Sequence, residues 1–352
     1  MDFNEFEEYK KQSEPTQRQK AENWAVAIGL QKVDDLTPSK YLIETAKENI
    51  EGKIDSNAVK EKINSYYKTE EGKKQNFGTE QADKVAMHIA EILSETSFTF
   101  SPATLFSIHK RLFSDVLPKI AGKTRDYNIT KKETVLLGDT VYYGSFQDIK
   151  ETLDYDFDRE KKFSYKELNL KEKIEHIAEF ISGIWQIHPF SEGNTRTVAV
   201  FTIKYLKTMG FDVNNDFFEQ NSKYFRDALV RANYQNLKRG ISYTKEFLNK
   251  FFENMLFQGT NDLDSKYLII SVEGENVGVK QENVGVNLKN VGVKTEDNVF
   301  ALIKENNNIT IKEMADELGK STRSIERAIQ KLKKNNKLIR IGSDKTGTWQ
   351  IL

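Results

Sequence analysis

The strongest constraint on the fold is a proline. Pro189 falls between two long apolar helical patterns, KEKIEHIAEFISGIWQI before it and TRTVAVFTIKYLKTMG after it. Proline disfavours helical backbone at the residue before it and cannot continue the hydrogen-bond ladder. The first pattern must therefore stop at His188. In it Ile174, Ile177, Phe180, Ile181, Ile184 and Trp185 cover most of the helix circumference, which predicts a central, largely buried helix. The ten residues HPFSEGNTRT, 188–197, then join two core helices by a short turn. A mainly α fold is expected around that turn.

The rest of the 352 residues divides by composition. Residues 1–75 predict an N-terminal helical region: a docking arm centred on Trp24, then helices from Pro38 and from a Ser56 cap, the first ending at Glu51-Gly52. A polar, glycine-containing connection at 70–79 precedes a main helical domain over 80–260, with Ser101 capping one helix and Pro102 in its first turn. His88 and His109 lie on apolar helices of this domain and read as satisfied structural residues. Residues 124–149 break the helical pattern with clustered Thr, Val, Tyr and Leu around Gly138-Asp139 and predict a small β-hairpin. With no large sheet to join, it is either a surface hairpin or an open edge for a partner strand. Residues 261–295 carry Asn276, Asn283 and Asn290 seven apart in near-identical polar copies, too few for a solenoid, and predict a linker.

Residues 296–352 read as helix, helix, turn, helix and hairpin, with Thr310 and Ser321 as caps and Gly319 at the tight turn. The order resembles a winged helix-turn-helix. Arg323, Arg327, Lys331, Lys333 and Lys334 line its third helix, where duplex DNA would be met; Arg323, Arg327 and Lys331 are the candidate DNA-binding residues, with protein binding as the alternative use of such a module. The whole chain gives a polyanion little help, because its 53 basic and 53 acidic residues cancel and only a local patch could attract one. No apolar run approaches a membrane span, the acidic N-terminus is no secretory signal, and the absence of cysteine fits a reducing cytosol, so a cytoplasmic location is expected.

The turn itself concentrates chemistry. His188 can accept a proton from a hydroxyl near neutral pH. Phe190 should turn inward and pin the loop, leaving Glu192 towards a cavity. Gly193 and Asn194 allow a tight turn into the next helix, whose first N–H groups form an anion site to which Arg196 adds a forked cation. A carboxylate beside an anion site is sensible if a divalent metal links it to a phosphate. The plainer arrangement is a histidine helix cap with a Glu192–Arg196 ion pair at i, i+4.

At this point the chain resembles the Fic proteins, whose signature is His-x-Phe-x-(Asp/Glu)-Gly-Asn-Gly-Arg-x-x-Arg. His188, Phe190, Glu192, Gly193, Asn194 and Arg196 fill their places, and the likeness spans about residues 80–260. The resemblance implies a helical Fic-type bundle and a protein adenylyltransferase using ATP and Mg2+, with a protein hydroxyl on Ser, Thr or Tyr as acceptor. It implies His188 as base, Glu192 as metal ligand, Gly193, Asn194, Thr195 and Arg196 at the nucleotide, and Leu136, Leu137, Gly138, Asp139 and Thr140 as a target-binding flap. It also makes Glu51 a candidate inhibitory residue; a homodimer is a separate candidate assembly. Two positions depart from the signature: Thr195 stands for its second glycine and Ala199 for its second arginine, with Arg226 or Arg231 as candidate substitutes. The departures leave room for a different transferred group (UMP, phosphate, phosphocholine, or removal of AMP) and for a DNA-binding regulator whose Fic-like domain senses nucleotide.

Overall fold

The computed structural model describes residues 15–211, 213, 215–270, 295–318, 320, 322–335, 337–341 and 348–352. The repeats around Asn276, Asn283 and Asn290, the turn residues Gly319 and Ser321, and the wing turn at 342–347 lie outside them.

Among the described residues, ten α-helices precede residue 270: α1 (Pro15–Gly29), α2 (Lys40–Ile50), α3 (Ser56–Tyr66), α4 (Phe77–Ser94), α5 (Pro102–Phe113), α6 (Ile149–Lys162), α7 (Leu170–Ile187), α8 (Asn194–Thr208), α9 (Asn215–Ala232) and α10 (Glu246–Phe257). Their apolar faces form one continuous core from Ala21 to Ile270. The N-terminal segment is therefore no separate docking arm: Trp24, Ala25, Val26, Ala27 and Ile28 are all buried in the core of the main domain. The core also runs past residue 260, because Leu268 and Ile270 pack into it and the Ile270 amide donates to the Val135 carbonyl at 2.9 Å.

Local signals explain the helix starts. Ser101 caps α5 by accepting the Thr104 amide, with Pro102 in the first turn as expected. Two caps are displaced from their predicted places: Ser39 caps α2, two residues past the expected Thr37, and Asp55 rather than the adjacent Ser56 caps α3. Asn169 and Glu172 form a reciprocal capping box at the head of α7.

The predicted hairpin at 124–149 is not built from strands. Among the described residues the paired strands are β1 (Leu338–Ile341) and β2 (Thr348–Ile351), which form the wing. The flap is instead a loop closed by the Glu133 amide on the Asp139 carbonyl at 2.9 Å, with a 3-10 turn at Thr134–Leu136. Its β-prone residues Val135, Leu136 and Val141 point into the helical core, so they pack rather than pair. Leu137, at φ 53°, and Gly138, at φ 90°, make the exposed tip.

A second hydrophobic core, from Val299 to Trp349, belongs to the C-terminal module: α11 (Thr295–Glu305), α12 (Ile311–Leu318), α13 (Thr322–Lys334) and the wing. Thr310 opens α12 in a capping box with Glu313. No helix of the described residues is long and apolar enough to cross a membrane.

Candidate active site

Helix α7 ends where the sequence requires, and the way it ends aims the histidine. His188 takes the left-handed conformation, φ 50° and ψ 60°, as the C-cap, and its amide donates to the Trp185 carbonyl at 3.0 Å. Its ring Nδ1 lies 3.1 Å from the same carbonyl. A carbonyl can only accept, so Nδ1 carries the proton and Nε2 keeps its lone pair. Burial, followed by the Lys131, Arg125 and Arg226 cations, pushes the imidazole pKa down to about 3 against the acceptor bond from Trp185, so the ring is neutral. Tyr143 tilts over it with ring centroids 4.2 Å apart, and Trp185 meets it edge-on.

The chain around the histidine is held by groups from far away in sequence. The Arg125 guanidinium donates to the carbonyls of His188 (2.7 Å), Ile187 (3.1 Å) and Tyr127 (2.6 Å) and also to Gly144, while its amide donates to Pro189. One buried arginine thus ties the end of α7 to the flap. Phe190 is fully buried, as expected, and stacks on His109 with centroids 3.7 Å apart. His109 donates through Nε2 to the Glu192 carbonyl at 3.0 Å and accepts the Gly122 amide on Nδ1 at 2.8 Å. It is a satisfied neutral histidine whose role is to place the turn, and burial lowers its pKa to about 4.

Asn194 opens α8, and its side chain spans the loop, accepting the Phe190 amide at 3.0 Å and donating to the Phe190 carbonyl at 2.7 Å. Gly193, at φ 73°, is required twice over: a side chain would be strained there, and a Cβ would fall 2.1 Å from the Phe113 ring. Thr195 turns inward and accepts the Trp185 indole N–H at 3.0 Å. Its hydroxyl therefore serves the core, which gives this departure from the Fic signature a structural reason. Ala199 is fully buried in the main hydrophobic core, so no cation could stand there without repacking.

Arg196 is fully buried over the face of Phe113. Its Nη1 donates to Gln31 Oε1 at 3.1 Å, and its Nε lies 2.9 Å from Asp34 Oδ2. The Asp34 contact is an ion pair without hydrogen-bond alignment, since Nε, Nη2 and Asp34 Oδ2 are all buried without a hydrogen-bond partner. Nη2 stands 4.0 Å from the Glu192 carboxylate, which is 46% exposed and also accepts the Gly193 amide. A buried guanidinium edge with no acceptor, beside a half-exposed carboxylate and a helix N-terminus, fits an anion accompanied by a metal.

Of the substitutes considered for the missing second arginine, Arg226 reaches the flap base, pairing with the buried Glu133 at 2.7 Å; Glu133 also accepts the Tyr143 hydroxyl at 3.2 Å. Arg231 is directed at the Phe247 ring. Among the flap residues, Leu136 is buried and anchors the loop, Asp139 accepts the Tyr234 hydroxyl at 2.7 Å, Thr140 accepts the Lys131 amide, and Leu137 and Gly138 are exposed. Glu51 lies at the C-cap of α2 and pairs with Lys53 at 2.5 Å; Asp34 and Gln31, neither anticipated, are what the N-terminal region brings to Arg196. Arg323, Arg327 and Lys331 are turned towards α6 and α7 rather than to solvent.

A family model described as the Fic/DOC family matches residues 99–206, and one described as an HTH domain matches residues 295–347. The protein adenylyltransferase VbhT of Bartonella schoenbuchensis is 25% identical over 174 residues, which are 49% of this chain and 34% of that protein. The chain thus spans about a third of the length of that curated relative. Among solved structures, the N-terminal Fic domain of a Bartonella effector protein from Bartonella sp. AR 15-3 is 20% identical with a TM-score of 0.42, covering 55% of this chain and 85% of that one. The BepC protein of Bartonella tribocorum, with bound AMPPNP, is 21% identical with a TM-score of 0.40, covering 54% and 89%. The chain carries a Fic domain of the Fic/DOC family followed by a helix-turn-helix domain.

Proposed function

We propose that the Fic domain is a protein adenylyltransferase that moves AMP from ATP to a Ser, Thr or Tyr hydroxyl of a target protein, with His188 as general base. The observation that carries this reading is the His188 tautomer. Its Nδ1–H is held by the Trp185 carbonyl, so Nε2 is a neutral acceptor at physiological pH, and the helix that follows the loop carries Arg196, buried with an unsatisfied donor edge. The name of the relative VbhT points the same way.

In this reading the target hydroxyl oxygen attacks the α-phosphorus, its proton passes to His188 Nε2, and the P–O bond to pyrophosphate breaks. Arg196 and the N-terminus of α8 take up phosphate charge. Glu192 would hold Mg2+ on the phosphates, where the metal supplies charge neutralisation. Among the described residues no group of three or more His, Cys, Asp or Glu side chains could hold a metal, so Glu192 alone would be the carboxylate that this loop offers it. The exposed tip Leu137-Gly138 and the flap backbone clamp the target chain. Through its third helix the C-terminal module binds duplex DNA.

The second reading is a DNA-binding regulator whose Fic domain holds nucleotide without turnover, and what favours it is Ala199 packed in the core where a phosphate cation would otherwise stand. Incubating the protein with Mg2+ and ATP labelled at the α-phosphorus separates the two. Label on protein should fall about 100-fold or more in His188→Ala, the scale of a lost general base. Nucleotide binding with no label transferred by the wild type would favour the sensor instead.

A further inference from the structure

The third helix of the helix-turn-helix domain, α13, has two faces. Ile325, Ala328, Ile329 and Leu332 fill the core of its own module. Arg323, Arg327, Lys331 and Lys334, at i, i+4, i+8 and i+11, share another face, the one a recognition helix presents to a duplex. Much of that stripe is occupied by the Fic domain. Asp156 of α6 is fully buried and takes Arg323 at 3.2 Å together with Arg327, which donates to both of its carboxylate oxygens. Arg323 also donates to the Glu179 carbonyl of α7 at 2.6 Å. Lys331 meets Asp148 at 2.7 Å and Glu151 at 3.2 Å, and Arg159 reaches back to Glu326 at 3.3 Å.

The fit is built into the main domain. Gly183 sits mid-helix in α7, where glycine weakens a helix, yet a Cβ there would fall 2.5 Å from Arg323 Nη1 and 2.6 Å from its Cζ. Its missing side chain is the seat of the guanidinium. Carboxylates of the Fic domain thus stand where phosphates would stand, each paired to a cation a duplex would need.

We propose that the acidic face formed by Asp148, Glu151, Asp156 and Glu179 is an internal docking surface for α13 that competes with duplex DNA, so that the domain binds DNA only after it leaves the Fic domain. The inference rests on the reading of the C-terminal module as a DNA binder. Apparent DNA affinity is then the intrinsic affinity reduced by the fraction of molecules undocked.

The test uses the full chain. Because it has no cysteine, spin labels can be placed at Lys161→Cys on α6 and Lys304→Cys on α11, both exposed. Pulsed electron spin resonance then reports the docked separation, and fluorescence anisotropy with a mixed-sequence 30-bp duplex (about three helical turns) at low salt reports binding. Gly183→Ala changes no charge and no residue of the DNA-binding module, but displaces Arg323. It should broaden the separation and tighten duplex binding about tenfold if nine in ten wild-type molecules are docked. Asp156→Ala is the second opening variant, and added duplex should broaden the wild-type separation. Duplex bound by the wild type with the docked separation intact, or opened variants binding no more tightly than a wild type that does bind, would overturn the competition. If the opened variants separate yet neither they nor the wild type bind duplex, the DNA reading itself fails and takes the inference with it. If neither variant broadens the separation, the docking surface is misassigned.

Discussion

Arg196 is fully buried with Asp34 at 2.9 Å, so a phosphate arriving at its unsatisfied edge must share the guanidinium with that carboxylate or displace it. Asp34→Ala should therefore bind ATP more tightly, by on the order of tenfold if the repulsion is comparable to one charge-assisted hydrogen bond. Calorimetric titration with Mg-ATP measures this, and unchanged affinity would show that Asp34 does not oppose the phosphate. Burial lowers the pKa values of His188 and His109 to about 3 and about 4. Between those values and ~6.5 the unfolded chain binds protons that the folded one refuses, so each histidine's contribution is complete above ~6.5 and is lost as pH falls towards its folded value. For His109 that is roughly 3 kcal/mol. Urea midpoints at pH 7, 5.5 and 4.5 should fall, and more shallowly in His109→Gln. The residues of the loop were readable because their types sit together in ten positions. Asp34, Gln31 and Arg125 were not: Gln31 is 165 positions from Arg196 and Arg125 is 63 from His188, and neither carries a local pattern.

The turn between α7 and α8 works because its neighbours leave it one conformation. Gly193 combines φ 73° with a Phe113 ring in the space a Cβ would need. Gly193→Ala should destabilise the fold by about 1–3 kcal/mol through backbone strain and overpacking together, and Phe113→Leu in the same chain should recover the overpacking part while leaving the strain. Thermal denaturation of the two single variants and the double variant checks this, and strict additivity would mean the ring does not matter. The helices themselves were legible from period and punctuation, as Ser101-Pro102 and the His188-Pro189 stop illustrate. The flap was not, because Val, Thr and Tyr report only that a segment suits a half-buried surface. Here the partner is a helical core, so Val135, Leu136 and Val141 face inward and no second strand is required. Helix α1 shows the converse difficulty: its apolar patch was visible, but only packing reveals that it lies in the main core rather than outside it.

Two hydrophobic cores, Ala21 to Ile270 and Val299 to Trp349, make the molecule two folding units, and polar contacts join them. Tyr142, Tyr143 and Gln186 of the Fic domain and Arg327, Lys331 and Lys334 of α13 line an open cavity of about 500 Å³. A buried ion pair is costly to break from one side only: removing Asp156 leaves Arg327 desolvated with its carboxylate gone and Arg323 with Glu179 alone, a loss of about 3–5 kcal/mol if nothing moves. The module can move, however, because its own core does not depend on the interface. The loss is then capped at the free energy of docking, since separation returns both guanidinium groups to water. Asp156→Ala should accordingly change the form of unfolding more than its energy. In calorimetry the wild type should unfold with the two units coupled, and the variant should show two transitions, the main domain keeping nearly its original midpoint and the module melting separately. High salt should produce a weaker version of the same split in the wild type, because the half-exposed Arg159–Glu326 and Lys331–Glu151 pairs are screened while the buried Asp156 cluster is not. A single transition in Asp156→Ala, lowered by the full penalty, would mean that the two cores are thermodynamically one and that the module cannot leave its seat.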